Sequence, residues 1–196
     1  MALQLGSLQI LAAYLPNADV LSLSYPDLLV KPDEVEIHFG YTPTQFNEKG
    51  TIHGRDYKLP ETLEFFAKQG SRFGCIDIAK FRGPEEIVDL NYPQDLGKYD
   101  LVINPGTLEH CFNIGIAILN ASEAVKPGGR IYHEAPVGML NHGFYNLCPT
   151  LINDLYLQNG WKIEFWALFS TKGPRAVDRS LAVTRQHIVP ESHMAC

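Results

Sequence analysis

Tyr99-Asp100-Leu101-Val102-Ile103-Asn104-Pro105-Gly106-Thr107-Leu108-Glu109-His110-Cys111-Phe112-Asn113 decides how this chain folds. The apolar run from Leu101 to Ile103 stops at Asn-Pro-Gly, and a helix-compatible segment restarts after it. That pattern predicts a buried parallel strand, a turn and a helix. The turn would lie at the carboxyl edge of a sheet, where open α/β sheets bind ligands. Asn104, Thr107, Glu109 and His110 then stand where chemistry is done. The residues alone fit a second reading equally well, in which Asn-Pro-Gly only turns the chain and Glu109-His110 opens a solvated helix.

Downstream, a helix over 112–125 carries Phe112, Ile114, Ile116, Ile118, Leu119 and Val125, apolar nearly all round, and is expected to be mostly covered. Lys126-Pro127-Gly128-Gly129 leads into a strand over 130–134. A helix at Pro149–Gln158 stops at Asn159-Gly160, and strands over 161–169 and 181–188 follow with no helix between them, as an antiparallel edge pair would. Upstream, the spacing predicts a helix over 7–15 ended by Pro16, and a first strand over 19–24 stopped by Tyr25-Pro26-Asp27. Pro32, Gly40, Pro43, Gly50 and Gly54 interrupt 28–59, which reads as a helix at Pro32–Phe39 inside an irregular excursion, a candidate lid or oligomer contact. His53 and Arg55 there read as surface residues. A helix over 60–70 has Pro at its start, acids in its first turn and Gly as its stop, and strands over 73–78 and 87–90 follow.

A chain of 196 residues that is 45% hydrophobic can bury one sizeable core, so a single domain over 1–196 is expected. Net charge is −6 with no Lys/Arg cluster, which argues against a nucleic-acid partner, since phosphate neutralisation needs a basic stripe. A small-molecule substrate fits better. Cys75, Cys111, Cys148 and Cys196 form no Cys-x-x-Cys pair, so they read as reduced thiols of a cytoplasmic protein, with Cys75 and Cys111 packed. No basic start precedes an apolar segment and no apolar run approaches about 18 residues, so neither a signal peptide nor a membrane span is expected.

Lys98-Tyr99-Asp100-Leu101-Val102, then Leu108-Glu109-His110, then Val125-Lys126-Pro127-Gly128-Gly129-Arg130 together resemble the fourth strand, following helix and fifth-strand approach of class I S-adenosylmethionine-dependent methyltransferases. Gly106 to Asn113 and Asn141-His142-Gly143-Phe144-Tyr145-Asn146 are similar to an uncharacterised bacterial group within them. The resemblance implies a Rossmann-like α/β fold: a mostly parallel seven-stranded sheet with one antiparallel strand and helices on both faces. It also implies a cofactor, S-adenosylmethionine. Asp77 matches the acidic position that accepts ribose hydroxyls, Asp89-Leu90-Asn91 falls at the adenine, and Asn104-Pro105-Gly106 falls beside the methionine part.

The first strand departs from that pattern. Where the family has a glycine-rich loop, this chain has Ser22-Leu23-Ser24-Tyr25-Pro26-Asp27. Glycine lets backbone approach a cofactor, whereas Pro26 fixes φ and removes a donor. Either Ser24 and Tyr25 hydroxyls replace backbone contacts, or the cofactor is not held.

For catalysis, His133, His110 and Glu134 are the candidates, with His133 as general base. Glu109, His142 and Tyr145 are candidates for the acceptor wall. His110, His133, His142 and Glu134 also have donor types suited to zinc or iron, but their spacing is irregular and lacks His-x-x-x-His, so no metal is expected. His187 and His193 read as incidental. The functional expectation is a methyltransferase acting on a small molecule such as a sugar or metabolite, with homo-oligomerisation open. The alternatives are a descendant of the fold that lost the cofactor and serves as a binding or assembly subunit, or an enzyme using the same pocket for lyase or isomerase chemistry.

Overall fold

The computed structural model describes residues 1–47 and 57–166. The chain divides into two compact units, 1–146 and 147–196. In chain order the elements are β1 (Ala2–Gln4), α1 (Leu5–Ala12), β2 (Asp19–Ser22), β3 (Asp27–Leu29), α2 (Pro32–Phe39), β4 (Phe46–Asn47), β5 (Leu59–Pro60), α3 (Thr62–Lys68), β6 (Arg72–Asp77), β7 (Glu86–Ile87), β8 (Tyr99–Pro105), a 3-10 turn (Leu108–His110), α4 (Ile114–Glu123) and β9 (Val125–Glu134). The second unit carries α5 (Pro149–Gln158).

The first unit is a mixed α/β structure built on a parallel sheet ordered β7-β6-β2-β8-β9. Taken in chain order, those strands lie 3-2-1-4-5, the order of a doubly wound sheet, and the fold is compatible with a Rossmann-like one. The winding reverses between β2 and β8, so the crevice at their carboxyl ends is the topological switch point. Two small pairings, β1 with β3 and β4 with β5, stand apart from this sheet.

Alternation along β2 and β8 supplies one buried face. Val20, Leu101 and Ile103 pack with Leu3, Leu8, Leu11, Leu28, Val35, Phe65 and Phe66, drawn from α1, α2, α3 and the β1–β3 pair. Phe65 meets Phe39 edge-on at 5.0 Å, and Phe66 stacks on Phe73 at 4.3 Å. Asp100 anchors the opposite edge of the sheet, where its carboxylate accepts the Asp19 N–H at 2.9 Å and lies 3.0 Å from Lys126 Nζ.

Local chemistry explains the helix ends. α2 has Pro32 in its first turn, Glu34 accepting the Lys31 N–H at 2.8 Å, and Gly40 left-handed at φ +75°. In α3, Glu61 accepts the Glu64 N–H at 3.0 Å. β9 pairs Val125 with Tyr99 and then Arg130 with Leu101, so Lys126 to Gly129 bulges out of the ladder and Pro127 needs no donor there.

Several expectations need correction. The first helix starts at Leu5, because Ala2–Gln4 forms a strand. The strand expected over 87–90 shrinks to Glu86–Ile87. The helix after the central turn begins at Ile114 and is not covered all round: Phe112 before it and Leu119 within it are 73% and 51% exposed, and Ala117, Ile118 and Ala121 form its buried stripe. Residues 161–166 are not strand. The 28–59 excursion holds β3, α2 and β4 and the start of β5. The remainder of the 161–169 strand, the strand over 181–188, His53, Arg55, His187, His193 and Cys196 lie outside the described residues. Among the described residues no helix is long and apolar enough to cross a membrane.

Candidate functional site

The β2 side of the crevice is a tied loop. Ser22 Oγ donates to Ser24 O at 2.6 Å, and Thr62 Oγ1 donates to Pro26 O at 2.6 Å. Asp27, 3% exposed, receives Arg82 Nη2 on both carboxylate oxygens, at 2.7 and 2.8 Å, and Asn47 Nδ2 at 2.6 Å. Side chains therefore hold this turn. Tyr25 and Pro26 are buried, and the Tyr25 ring meets Phe73 edge-on at 6.3 Å. Tyr25 also lines an open depression of about 230 Å³ with Phe46, Asn47, Arg82 and Pro84. Ser24 Oγ is buried and has no hydrogen-bond partner among the described residues.

On the β8 side, Asn104 is fully buried, and its Oδ1 accepts the N–H of Thr107 at 2.8 Å and of Leu108 at 3.1 Å. That amide builds the turn. Gly106 sits at φ +94°, and a Cβ on it would lie 3.0 Å from Glu109 Oε1. Among the described residues Thr107 Oγ1 is buried with no hydrogen-bond partner, as are both oxygens of Glu109, a residue with no exposed surface. Burial pushes the Glu109 carboxyl up to about 7.

The loop carrying His142 docks on this turn through backbone. Phe144 and Tyr145 donate their N–H groups to Glu109 O at 2.8 and 3.3 Å, and Tyr145 OH donates to Phe112 O at 2.8 Å. Asn141 is left-handed at φ +57°. His142 Nε2 thereby reaches 3.6 Å from Glu109 Oε1, and its ring lies 5.1 Å from that of His110. A Cβ on Gly143 would meet Glu109 O at 2.7 Å. Gly143→Ala should therefore cost about 1–3 kcal/mol by forcing the two segments apart. A urea midpoint equal to that of the unmodified chain would show that the contact is not tight.

Burial pushes the Cys111 thiol up to about 11, and the fields of Asp89, Glu109 and Asp77 add to the shift. Asp77 ends β6 half-buried, with Oδ1 accepting the Ile78 N–H at 2.7 Å, and burial raises its pKa. Asp89 Oδ1 accepts from Asn91 N and Nδ2, while Asn91 Oδ1 accepts the Asn113 N–H at 2.8 Å. Leu90 is buried, and its carbonyl accepts from Asn120 Nδ2 of α4. The segment from Asp89 to Asn91 is thus fixed against the start and middle of that helix.

On β9, paired residues share a face, so His133 stands with Asn104 and Glu134 with Pro105. His133 Nδ1 lies 3.4 Å from Asn104 Nδ2, and Glu134 Oε2 accepts from Ser7 Oγ at 2.6 Å and Tyr132 OH at 3.3 Å. Burial lowers the His133 pKa to about 4, which favours the neutral imidazole. Burial likewise raises Glu134 and is the main cause that lowers His110.

The His133 shift sets a pH dependence. The unfolded imidazole takes up a proton near 6.5 while the folded one stays neutral to about 4. The unfolded imidazole binds more protons in that window, so the His133 contribution to stability is full above pH 6.5 and falls towards pH 4, by at most about 3 kcal/mol, while the raised Glu109 carboxyl contributes with the opposite sign. His133→Gln should flatten that slope in denaturant midpoints measured against pH; an unchanged slope would contradict the assignment.

Reasoning from the sequence found Glu109, His110 and His142 separately but not their contact. The signal was Asn141-His142-Gly143, a left-handed residue and a glycine bracketing a histidine. The fold and site define a mixed α/β protein with a doubly wound parallel sheet and buried polar side chains at its switch point. No family model matches the chain, and neither a curated protein nor a solved structure does.

Proposed function

We propose that this chain is a cytoplasmic S-adenosylmethionine-dependent methyltransferase acting on a small molecule. The observation that carries this reading is the set of buried polar atoms at the switch point without hydrogen-bond partners among the described residues: Ser24 Oγ from the β2 side, Thr107 Oγ1 and Glu109 from the β8 side. Buried polar groups without partners are costly, and a polar ligand across the crevice would satisfy them. Asp77 would take the ribose hydroxyls, Asp89, Leu90 and Asn91 the adenine, and Asn104 to Gly106 the methionine part, with Ser24 standing in for the missing glycine loop. Bound there, the cofactor supplies an electrophilic methyl group. The protein's task is then to hold an acceptor in line, facing Glu109, His110, His142 and Tyr145. His133 and Glu134, already engaged with Asn104 and Ser7, act as positioning residues behind that wall.

A thermal-shift measurement with S-adenosylhomocysteine tests this. At about a hundred times its Kd, the ligand should add about 2.7 kcal/mol, or about 5–10 °C in Tm. The buried Tyr25-Pro26 turn favours a second reading, a chain of the same fold that binds another ligand or serves as an assembly subunit. No shift at millimolar ligand would select it.

A further inference from the structure

We propose that Glu109, His110 and His142 form a binding site for a divalent transition-metal ion such as zinc or iron(II). One donor atom from each residue lies within 4.8 Å of the others, and Glu109 Oε1 to His142 Nε2 is 3.6 Å. Two ligands about 2 Å from a tetrahedral or octahedral metal stand roughly 3–3.5 Å apart, so this pair is already close to the required spacing. The His110 side chain is exposed and can swing the remaining distance by rotamer change.

The second observation is the carboxylate itself. Glu109 has no exposed surface, and among the described residues neither of its oxygens has a hydrogen-bond partner and no Lys or Arg pairs with it. A buried carboxylate is retained at such cost when a cation answers it. The donor set selects the class of ion: two imidazoles and one carboxylate suit zinc or iron(II), whereas magnesium and calcium take oxygen shells and copper(I) takes thiolates.

The frame is rigid where it needs to be. Asn104 fixes the turn that presents Glu109 and His110, and the Phe144 and Tyr145 N–H groups fix the loop that presents His142. Both histidines are exposed, so the metal would keep open positions for water or a substrate oxygen, as three-ligand catalytic sites do. Irregular spacing in the sequence had argued against a metal, but a helical His-x-x-x-His is only one way to converge ligands, and here a 3-10 turn and a returning loop achieve it. The site extends the acceptor side of the methyltransferase reading, yet it rests on these three residues alone and its test contains no methyl donor, so the two can fail separately.

The test is zinc titration of the chelator-treated chain in competition with a chromophoric chelator, with cobalt(II) absorption as a second readout. One zinc per chain is expected. Glu109→Gln, which keeps the volume, and His142→Asn, at an exposed position, should each weaken binding roughly tenfold or more and abolish the cobalt visible bands, with circular dichroism unchanged. Absence of stoichiometric zinc binding, or unmodified affinity in both variants, would overturn the site. If Glu109→Gln fails to fold, His142→Asn decides alone.

Discussion

Asp77→Ala should weaken S-adenosylhomocysteine binding roughly 10- to 100-fold while the variant melts as a folded protein. A hydrogen bond to a charged acceptor contributes about 1.5–3 kcal/mol, and each 1.4 kcal/mol is about tenfold in affinity. Asp77 is the acid at the end of β6, and the N–H groups of Ile78 and Ala79 orient it. Asp77→Asn keeps one acceptor oxygen and should fall between the two. Calorimetry on the three proteins checks the series, and equal affinities would place the ribose elsewhere.

Arg82→Met should lower stability by about 3 kcal/mol. Arg82 Nη2 bridges both oxygens of Asp27, which is 3% exposed, and the two residues together pin the turn after β2. Removing one partner of a buried pair strands the other charge, and that desolvation dominates the cost. Neutralising the survivor should therefore help: Asp27→Asn/Arg82→Met is expected to recover more than half of the loss in urea unfolding. A single variant within about 0.5 kcal/mol of the unmodified chain would show that the pair does not hold the turn. Ser24 and Tyr25 ride on this loop, so the same variant tests whether its rigidity matters to ligand affinity.

The five parallel strands were legible because such strands announce themselves, whereas the expected seven-stranded sheet with one antiparallel strand is not shown among the described residues. Leu101-Val102-Ile103 ended by Asn-Pro-Gly can hardly be anything but a buried strand and a turn, and Gly40, Gly70 and Gly160 each mark a helix end with a left-handed φ. What stayed illegible depends on distant partners. Ala2–Gln4 becomes a strand only because Asp27–Leu29 lies beside it. Leu119 and Phe112 look like core residues until the stripe actually used, Ala117, Ile118 and Ala121, is known. At the site, the turn after the central strand pointed to Asn104 and Glu109 and the family resemblance to Asp77, but no local pattern foretold that Asn104 would spend its amide on the turn, that burial would depress His133, or that residues 142–145 would return to Glu109.

Hydrogen exchange read residue by residue, with and without S-adenosylhomocysteine, tests the central claim most directly, since a bound guest protects the backbone it covers. Ligand across the crevice should slow exchange at 22–27, 77–79 and 104–110 together, with the opposite edge around Asp100 unchanged. Unaltered exchange at saturating ligand, or protection confined to residues away from the carboxyl ends of β2, β6 and β8, would contradict it.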